Sequence, residues 1–327
     1  MRYQQLTRDA RCQINTLVST GMLQKDIAKH LGISSSTICR ELKRNSGQRG
    51  YRYKQADAKA VDRRYQASSR PKKMLPNLIE VIEEKLLEKW SPEQISGVLE
   101  SNNILISHES IYRHIWANKK AGRDLYTHLR RRGKKYNRRG AKTAGRGCIP
   151  NRVDIQQRPK IVERKMRIGD WEGDTIIGAS QKGVILSLVD RKSKYTLLAK
   201  MEGKYAGQVP GLIKSCFKRL PRKVIGHSIT FDNGKEFSKH EEITKKTGLS
   251  CYFATPYHSW ERGLNEHTNG LVRQYCPKGS NLTHYSDEDI QYVEDQLNNR
   301  PRKVLGYRTP REVLVGIKKP QQIALQC

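Results

Sequence analysis

Acid is what this sequence has too little of: 32 Asp and Glu face 63 Lys and Arg, a formal charge of +31 on 327 residues. So large an imbalance excludes an ordinary near-neutral enzyme and predicts a polyanionic partner, with nucleic acid the first candidate. A membrane surface is disfavoured. No apolar run is long enough to span a bilayer, and Met1-Arg-Tyr-Gln-Gln-Leu-Thr-Arg8 lacks the apolar core of an export signal. The expected location is the cytoplasm, on the nucleoid once DNA is bound. Cysteine is sparse and scattered, at positions 12, 39, 148, 216, 251, 276 and 327, with no Cys-x-x-Cys pair. That pattern excludes a disulfide framework and a structural zinc site. A glycine-rich Walker loop is also missing, so no ATP-driven step is indicated. Internal repeats and low-complexity tracts are absent too.

What is present divides the chain by character. In residues 1–50, an apolar stripe of Leu6, Cys12, Ile14, Leu17 and Val18 predicts a first helix, and Leu23–Leu31 a second. Gly32 allows a sharp turn, Ser34 can cap the next helix, and Ile38 and Leu42 point inward from it. This is the pattern of a helix-turn-helix, with Ser35, Ser36, Thr37, Arg40 and Lys43 facing DNA; a plain three-helix bundle fits the same periodicity. Residues 51–73 read as a basic, Ala-rich linker helix. Residues 74–128 read as a second helix-turn-helix-like module. There Ser91 and Pro92 start a helix, Ile111, Ile115 and Trp116 face inward, and Arg113 is offered to DNA. The acidic helix before it suggests packing as much as contact. Residues 129–158 carry the densest positive run, including Arg130, Arg131 and Arg132, and read as a linker that phosphates order.

From 159 to 327 short apolar strands alternate with helices, the signature of an α/β domain. Strands are predicted over 170–177, 183–190, 195–201, 228–232 and 250–254, and helices over 205–219, 261–275 and 287–299. Asp232 sits at the mouth of one strand before an Asn-Gly turn, and Glu266 lies on the helix 34 residues later. A third carboxylate comes from Asp170-Trp-Glu-Gly-Asp174. Alternation puts Asp170, Glu172 and Asp174 on one side of the strand and does not choose among them, while Asp190 is a more distant rival. Carboxylates brought together repel, and protons or hard cations such as Mg²⁺ must neutralise them. Arg273 follows Glu266 by two helical turns and shares its face. Asn265 and Arg273 are candidates to orient DNA, and His258 and His267 to move protons.

The order Asp174, Asp232, Glu266 resembles the Asp-Asp-Glu domain of transposases and retroviral integrases. The longer strings Trp171-Glu-Gly-Asp174, Trp260-Glu-Arg-Gly-Leu-Asn-Glu-His-Thr-Asn-Gly-Leu-Val-Arg-Gln-Tyr-Cys-Pro-Lys-Gly279 and Arg300-Pro-Arg-Lys-Val-Leu-Gly-Tyr-Arg-Thr-Pro310 are similar to the bacterial insertion sequence 30 family of transposases. The resemblance covers almost the whole chain. It implies all-α helix-turn-helix modules followed by an α/β ribonuclease-H-like integrase domain, with the first carboxylate at Asp174. It also implies two Mg²⁺ ions, replaceable by Mn²⁺, held by Asp174, Asp232 and Glu266. The partners it implies are the terminal inverted repeats of an element and a target duplex, with a homo-oligomer on DNA. The activity is strand cleavage followed by strand transfer, through a circular or joined-end intermediate. The competing readings are a DNA-binding regulator with an inert α/β domain and a nuclease for RNA–DNA hybrids.

Overall fold

The computed structural model describes residues 5–68, 74–130, 149–221, 224, 226–256, 258 and 263–317. They fall into two compact units, Met1–Lys73 and Met74–Cys327.

The first unit is helical: α1 (Arg8–Ser19), α2 (Gln24–Leu31), α3 (Ser35–Asn45) and α4 (Tyr53–Ser68). Thr7 caps α1 by accepting from the Ala10 N–H. Gly32 ends α2 at φ 62°, a left-handed conformation that glycine adopts without Cβ strain. Ile14, Ile27 and Ile38 are fully buried where the three helices meet. Ser34 does begin α3, but its hydroxyl bonds the side chains of Ser36 and Thr37 rather than a backbone N–H. The expected linker helix, α4, packs on α1. Arg11 makes that joint, with Nε 2.8 Å from Glu41 and Nη1 3.1 Å from Asp57, while the Tyr51 hydroxyl donates to Glu41 at 3.1 Å. Burial first, then the Glu41 charge, push the Tyr51 pKa far up.

The second unit opens with α5 (Pro76–Leu87), α6 (Pro92–Ser101) and α7 (His108–Lys120). Ser91 and Gln94 form a reciprocal capping box and Pro92 takes the first turn of α6, as the sequence predicts. Leu78, Ile82, Leu86, Ile95, Leu99, Ile111 and Ile115 form this module's core. Trp116 does not join it. It is 39% exposed, lying one position beyond the face that Ile111 and Ile115 bury, and Leu87 is likewise exposed. The segment 300–308 holds the module in place. Arg300 Nε donates to Gln94 Oε1 at 2.9 Å, and the Tyr307 ring covers Gly97 so closely that a Cβ there would lie 2.2 Å from it.

The rest is a five-stranded sheet of order β3-β2-β1-β4-β5: β1 (Asp170–Ile177), β2 (Val184–Asp190), β3 (Thr196–Met201), β4 (Ser228–Phe231) and β5 (Ser250–Phe253). The first three strands are antiparallel neighbours, whereas β4 runs parallel to β1 and β5 parallel to β4. This is the ribonuclease-H-like arrangement. Helices α9 (Val209–Lys218) and α10 (His240–Thr247) cover one face, burying Trp171, Leu188, Ile213, Phe231 and Ile243. On the other face α11 (Gly263–Val272) and α12 (Asp287–Asn298) bury Ile176, Ile185, Leu271 and Leu297. Short helices α8 (Lys160–Arg164) and α13 (Pro310–Leu314) respectively precede β1 and follow α12 in the chain. Each large side chain so buried contributes about 1.5–3 kcal/mol.

Candidate active site

The register of β1 on β4 aligns Asp170 with Ser228 and Glu172 with Thr230, where the pairing ends; the same offset counted two residues on reaches Asp174 and Asp232. Asp174 stands mid-strand in β1, and Asp232 directly follows the last residue of β4. On the opposite side of β1, Gly173 makes room for the Phe231 ring; a Cβ there would sit 2.4 Å from it. Beyond Phe231 the chain turns. The Asp232 carboxylate accepts from the Gly234 N–H at 2.8 Å, and Asn233 anchors the turn by donating to the Ala254 carbonyl at 2.8 Å.

Tertiary contacts separate the three acids that alternation left equivalent, and Asp190 with them. Asp170 is buried, held by Arg167 at 2.7 Å and by the Ser228 hydroxyl at 2.7 Å. Glu172 is buried against Arg191 at 2.8 Å and accepts the Asn265 N–H at 3.3 Å. Asp190 is buried as the acceptor for the Gly169 and Ser193 N–H groups; burial raises its pKa despite those bonds. Asp174 is the half-exposed one. It accepts the Thr175 N–H at 2.9 Å and the Asn269 side-chain amide at 2.8 Å, and Asn269 in turn accepts from the Ser187 hydroxyl at 3.0 Å. Asn269 lies one turn beyond Glu266, so the bond that ties α11 to β1 puts exposed Glu266 beside Asp174.

Asp174, Glu266 and Asn269 line an open cavity of about 650 Å³ with Arg130, Arg273 and Lys278. Arg273 donates to the Ile177 carbonyl at 2.6 Å, and burial lowers its pKa. Arg130 reaches the cavity over Gly270, where a Cβ would meet its guanidinium at 2.2 Å. Arg131 and Arg132 lie outside the described residues. Asp232 is not among the residues that line this cavity. Among the described residues no group of three His, Cys, Asp or Glu side chains forms a metal-holding cluster. The donor chemistry that is present, carboxylate and amide oxygen, suits hard cations such as Mg²⁺ or Mn²⁺ rather than zinc.

Two residues near these acids escaped the sequence reading. Asn269 could have been found as the i+3 neighbour of Glu266. Glu236, four residues after Asp232, is buried; it accepts from the Thr175 hydroxyl at 2.7 Å and pairs with Lys204 at 2.9 Å. Burial works to raise its pKa, but its own N–H, Thr175 and Lys204 outweigh that and lower it. Two expected roles change. Asn265 is fully buried, its side-chain amide without a hydrogen-bond partner among the described residues, and a surface contact with DNA does not fit that burial. His267 is exposed at the cavity rim; partial desolvation of its ring, then Arg130, Arg302 and Arg300, push its pKa down. His258 is half-buried beside Thr255.

In the first unit Ser35, Ser36, Arg40 and Lys43 are exposed along α3, with Thr37 half-buried. Arg40 lies back along the helix, its guanidinium donating to the Ser36 carbonyl and hydroxyl at 2.9 and 3.0 Å. Arg113 is exposed on α7 of the second unit. His114, its neighbour, pairs with Glu83 at 2.7 Å.

A helix-turn-helix domain family matches residues 2–45. The transposase for insertion sequence element IS4351 of Bacteroides fragilis is 44% identical over 98% of this chain and 98% of its own. Transposase InsI for insertion sequence element IS30A of Escherichia coli K12 is 38% identical, over 94% of this chain and 83% of its own. The chain belongs to the insertion sequence 30 family of transposases. A third member of the family, the transposase for element IS1086 of Cupriavidus metallidurans, is 36% identical over 97% and 96%. Among solved structures, the catalytic core of BIV integrase is 20% identical with a TM-score of 0.36, spanning 45% of this chain and 94% of that one. No described helix is long and apolar enough to cross a membrane.

Proposed function

We propose that this transposase binds the terminal inverted repeats of its element through α3 and cuts and rejoins DNA strands at Asp174, Asp232 and Glu266. Family membership over nearly the whole chain supports the reaction class. The reading of the site rests on one observation: of the acids on β1 and β2, Asp174 alone is half-exposed, and it shares with Glu266 a cavity edged by Arg130, Arg273 and Lys278.

Asp174, Asp232 and Glu266 would hold two Mg²⁺ ions, with Mn²⁺ able to replace them. Bound there, such ions act as Lewis acids toward the phosphate and lower the pKa of attacking water. The chain's own residues do the positioning. Asn269 and the Thr175 N–H orient Asp174, and the Gly234 N–H orients Asp232. Glu266, exposed on α11 at the same cavity as Asp174, would supply the third carboxylate to ions held there. Arg130, Arg273 and Lys278 draw the phosphodiester into the cavity by charge, without reading bases. Ser35, Ser36, Thr37, Arg40 and Lys43 would face the repeat, while Arg113, Arg131 and Arg132 add phosphate contacts. Cutting and joining two ends calls for a homo-oligomer on DNA.

The test is end cleavage of a duplex carrying the DNA that flanks the coding region, with and without Mg²⁺. Asp232→Asn is expected to abolish cleavage and leave repeat binding within about twofold, since α3 lies in the other unit. Binding lost together with cleavage would assign Asp232 a structural role. The acids are not gathered into a metal cluster, which keeps one rival open: a repeat-binding regulator with an inert second unit. Tight repeat binding without cleavage in Mg²⁺ or Mn²⁺ would select it.

A further inference from the structure

Across the start of α11 from the carboxylate cavity lies a second cavity, of about 670 Å³. The two share Gly263 and His267 as lining residues. Its walls carry five cations, Arg158, Lys165, Arg191, Lys194 and Arg302, against two acids, Glu163 and Glu172. Glu172 is already neutralised by Arg191, and Glu163 lies 4.0 Å from Arg158. A positive surplus therefore faces the cavity, and it continues into an adjoining basin that adds Lys192 and Arg308 and has no acidic lining.

Two of the guanidinium groups in its wall keep a donor that the described residues do not answer. Arg191 and Arg302 are both more than nine-tenths buried, and each keeps an Nε–H with no hydrogen-bond acceptor among the described residues. A buried, unanswered N–H on a charged group is costly and needs a reason. Lys194 tells the same story: burial, then repulsion from Lys165, push its pKa down to about 8, a penalty that a bound anion would relieve. Ile155, Leu264 and Val304 add apolar wall. Buried guanidinium groups, two ammonium groups and an apolar side suit one nucleotide, with its phosphate against the cations and its sugar against the aliphatic groups.

We propose that this cavity is a phosphate-binding subsite for the DNA strand passing the carboxylate cavity. It takes one backbone phosphodiester on Lys165, Lys194, Arg191 and Arg302. The inference rests on the proposed recombinase reading but is tested by binding, which needs no cutting. The full chain and its Lys165→Gln/Lys194→Gln variant are titrated with the end duplex across a salt series. A second set of duplexes carries single neutral methylphosphonate linkages at successive positions around the cleaved bond. The variant is expected to lower the slope of log K against log salt by about 1–2. One methylphosphonate position is expected to weaken wild-type binding and to have no further effect in the variant, and Lys165→Arg/Lys194→Arg restores both behaviours. An unchanged slope, or methylphosphonate penalties equal in the two proteins, overturns the subsite. So does stabilisation of the wild-type chain by inorganic phosphate without any methylphosphonate coupling, which marks a free-anion pocket. A wild-type protein that binds the end but never cuts it sinks the recombinase reading instead, and the salt slopes still decide the subsite.

Discussion

Replacing Asn269 by Ala removes two hydrogen bonds at once, to the Asp174 carboxylate at 2.8 Å and from the Ser187 hydroxyl at 3.0 Å. A bond to a charged group nets about 1.5–3 kcal/mol and a neutral one about 0.5–1.5 kcal/mol. Both figures shrink here. Asp174 is half-exposed and regains water, and Ser187 keeps the Asp174 carbonyl at 3.3 Å. The expected loss is about 1–2 kcal/mol, a fall of a few degrees in the melting of the second unit. The larger effect is on the site. With its orienting amide gone, Asp174 is expected to hold Mn²⁺ about 10–100-fold more weakly, the usual cost of losing a partner behind a metal ligand. End cleavage measured against Mn²⁺ concentration reads this directly: half-saturation rises while the rate at saturating metal recovers. Asn269→Asp places a second negative charge against Asp174 and should move the cleavage optimum to higher pH, because like charge raises a carboxylate pKa. If Asn269→Ala keeps both wild-type half-saturation and wild-type melting, Asn269 does not position Asp174 and the site is wrongly built.

Gly97→Ala sets a methyl group where the Tyr307 ring sits at 2.2 Å and should cost about 1–3 kcal/mol by overpacking; combining it with Tyr307→Leu should cost less than the two changes added, in thermal unfolding. Arg11→Met leaves Glu41 buried without its cation and should destabilise the first unit by about 3–5 kcal/mol, seen as lost repeat binding with the second unit's melting unchanged. Arg11→Met/Glu41→Met should recover most of that loss. Lys194, with its pKa pushed down to about 8, should be acylated at pH 8 faster than exposed lysines, as peptide mass spectrometry would show. Because its folded pKa lies below its ordinary 10.5, the unfolded chain binds the extra proton between pH 8 and 10.5, and this group's contribution makes stability rise with pH across that window.

Local chemistry written in the sequence accounts for much of this protein. The Ile-Ala-x-x-Leu-Gly-Ile order, the Ser91-Pro92 start and the β-branched runs of β1 and β2 are decided within one turn or one strand, so periodicity reads them. The same holds for the Asp-Asn-Gly turn after β4 and for Arg273 on the face of Glu266, which need only local spacing. Which acid of β1 stands open was decided elsewhere. Asp170, Glu172 and Asp174 share one side of a strand, and they part company only because Arg167, Arg191 and Asn269 arrive from other segments. Tertiary packing alone also turned Trp116 out of its core, brought Arg130 over Gly270 and collected Arg158, Lys194 and Arg302 around one cavity. Hydrophobic spacing is a property of neighbours along the chain. The fate of a charge depends on what the fold brings within a few ångströms of it, and no period in the sequence encodes that.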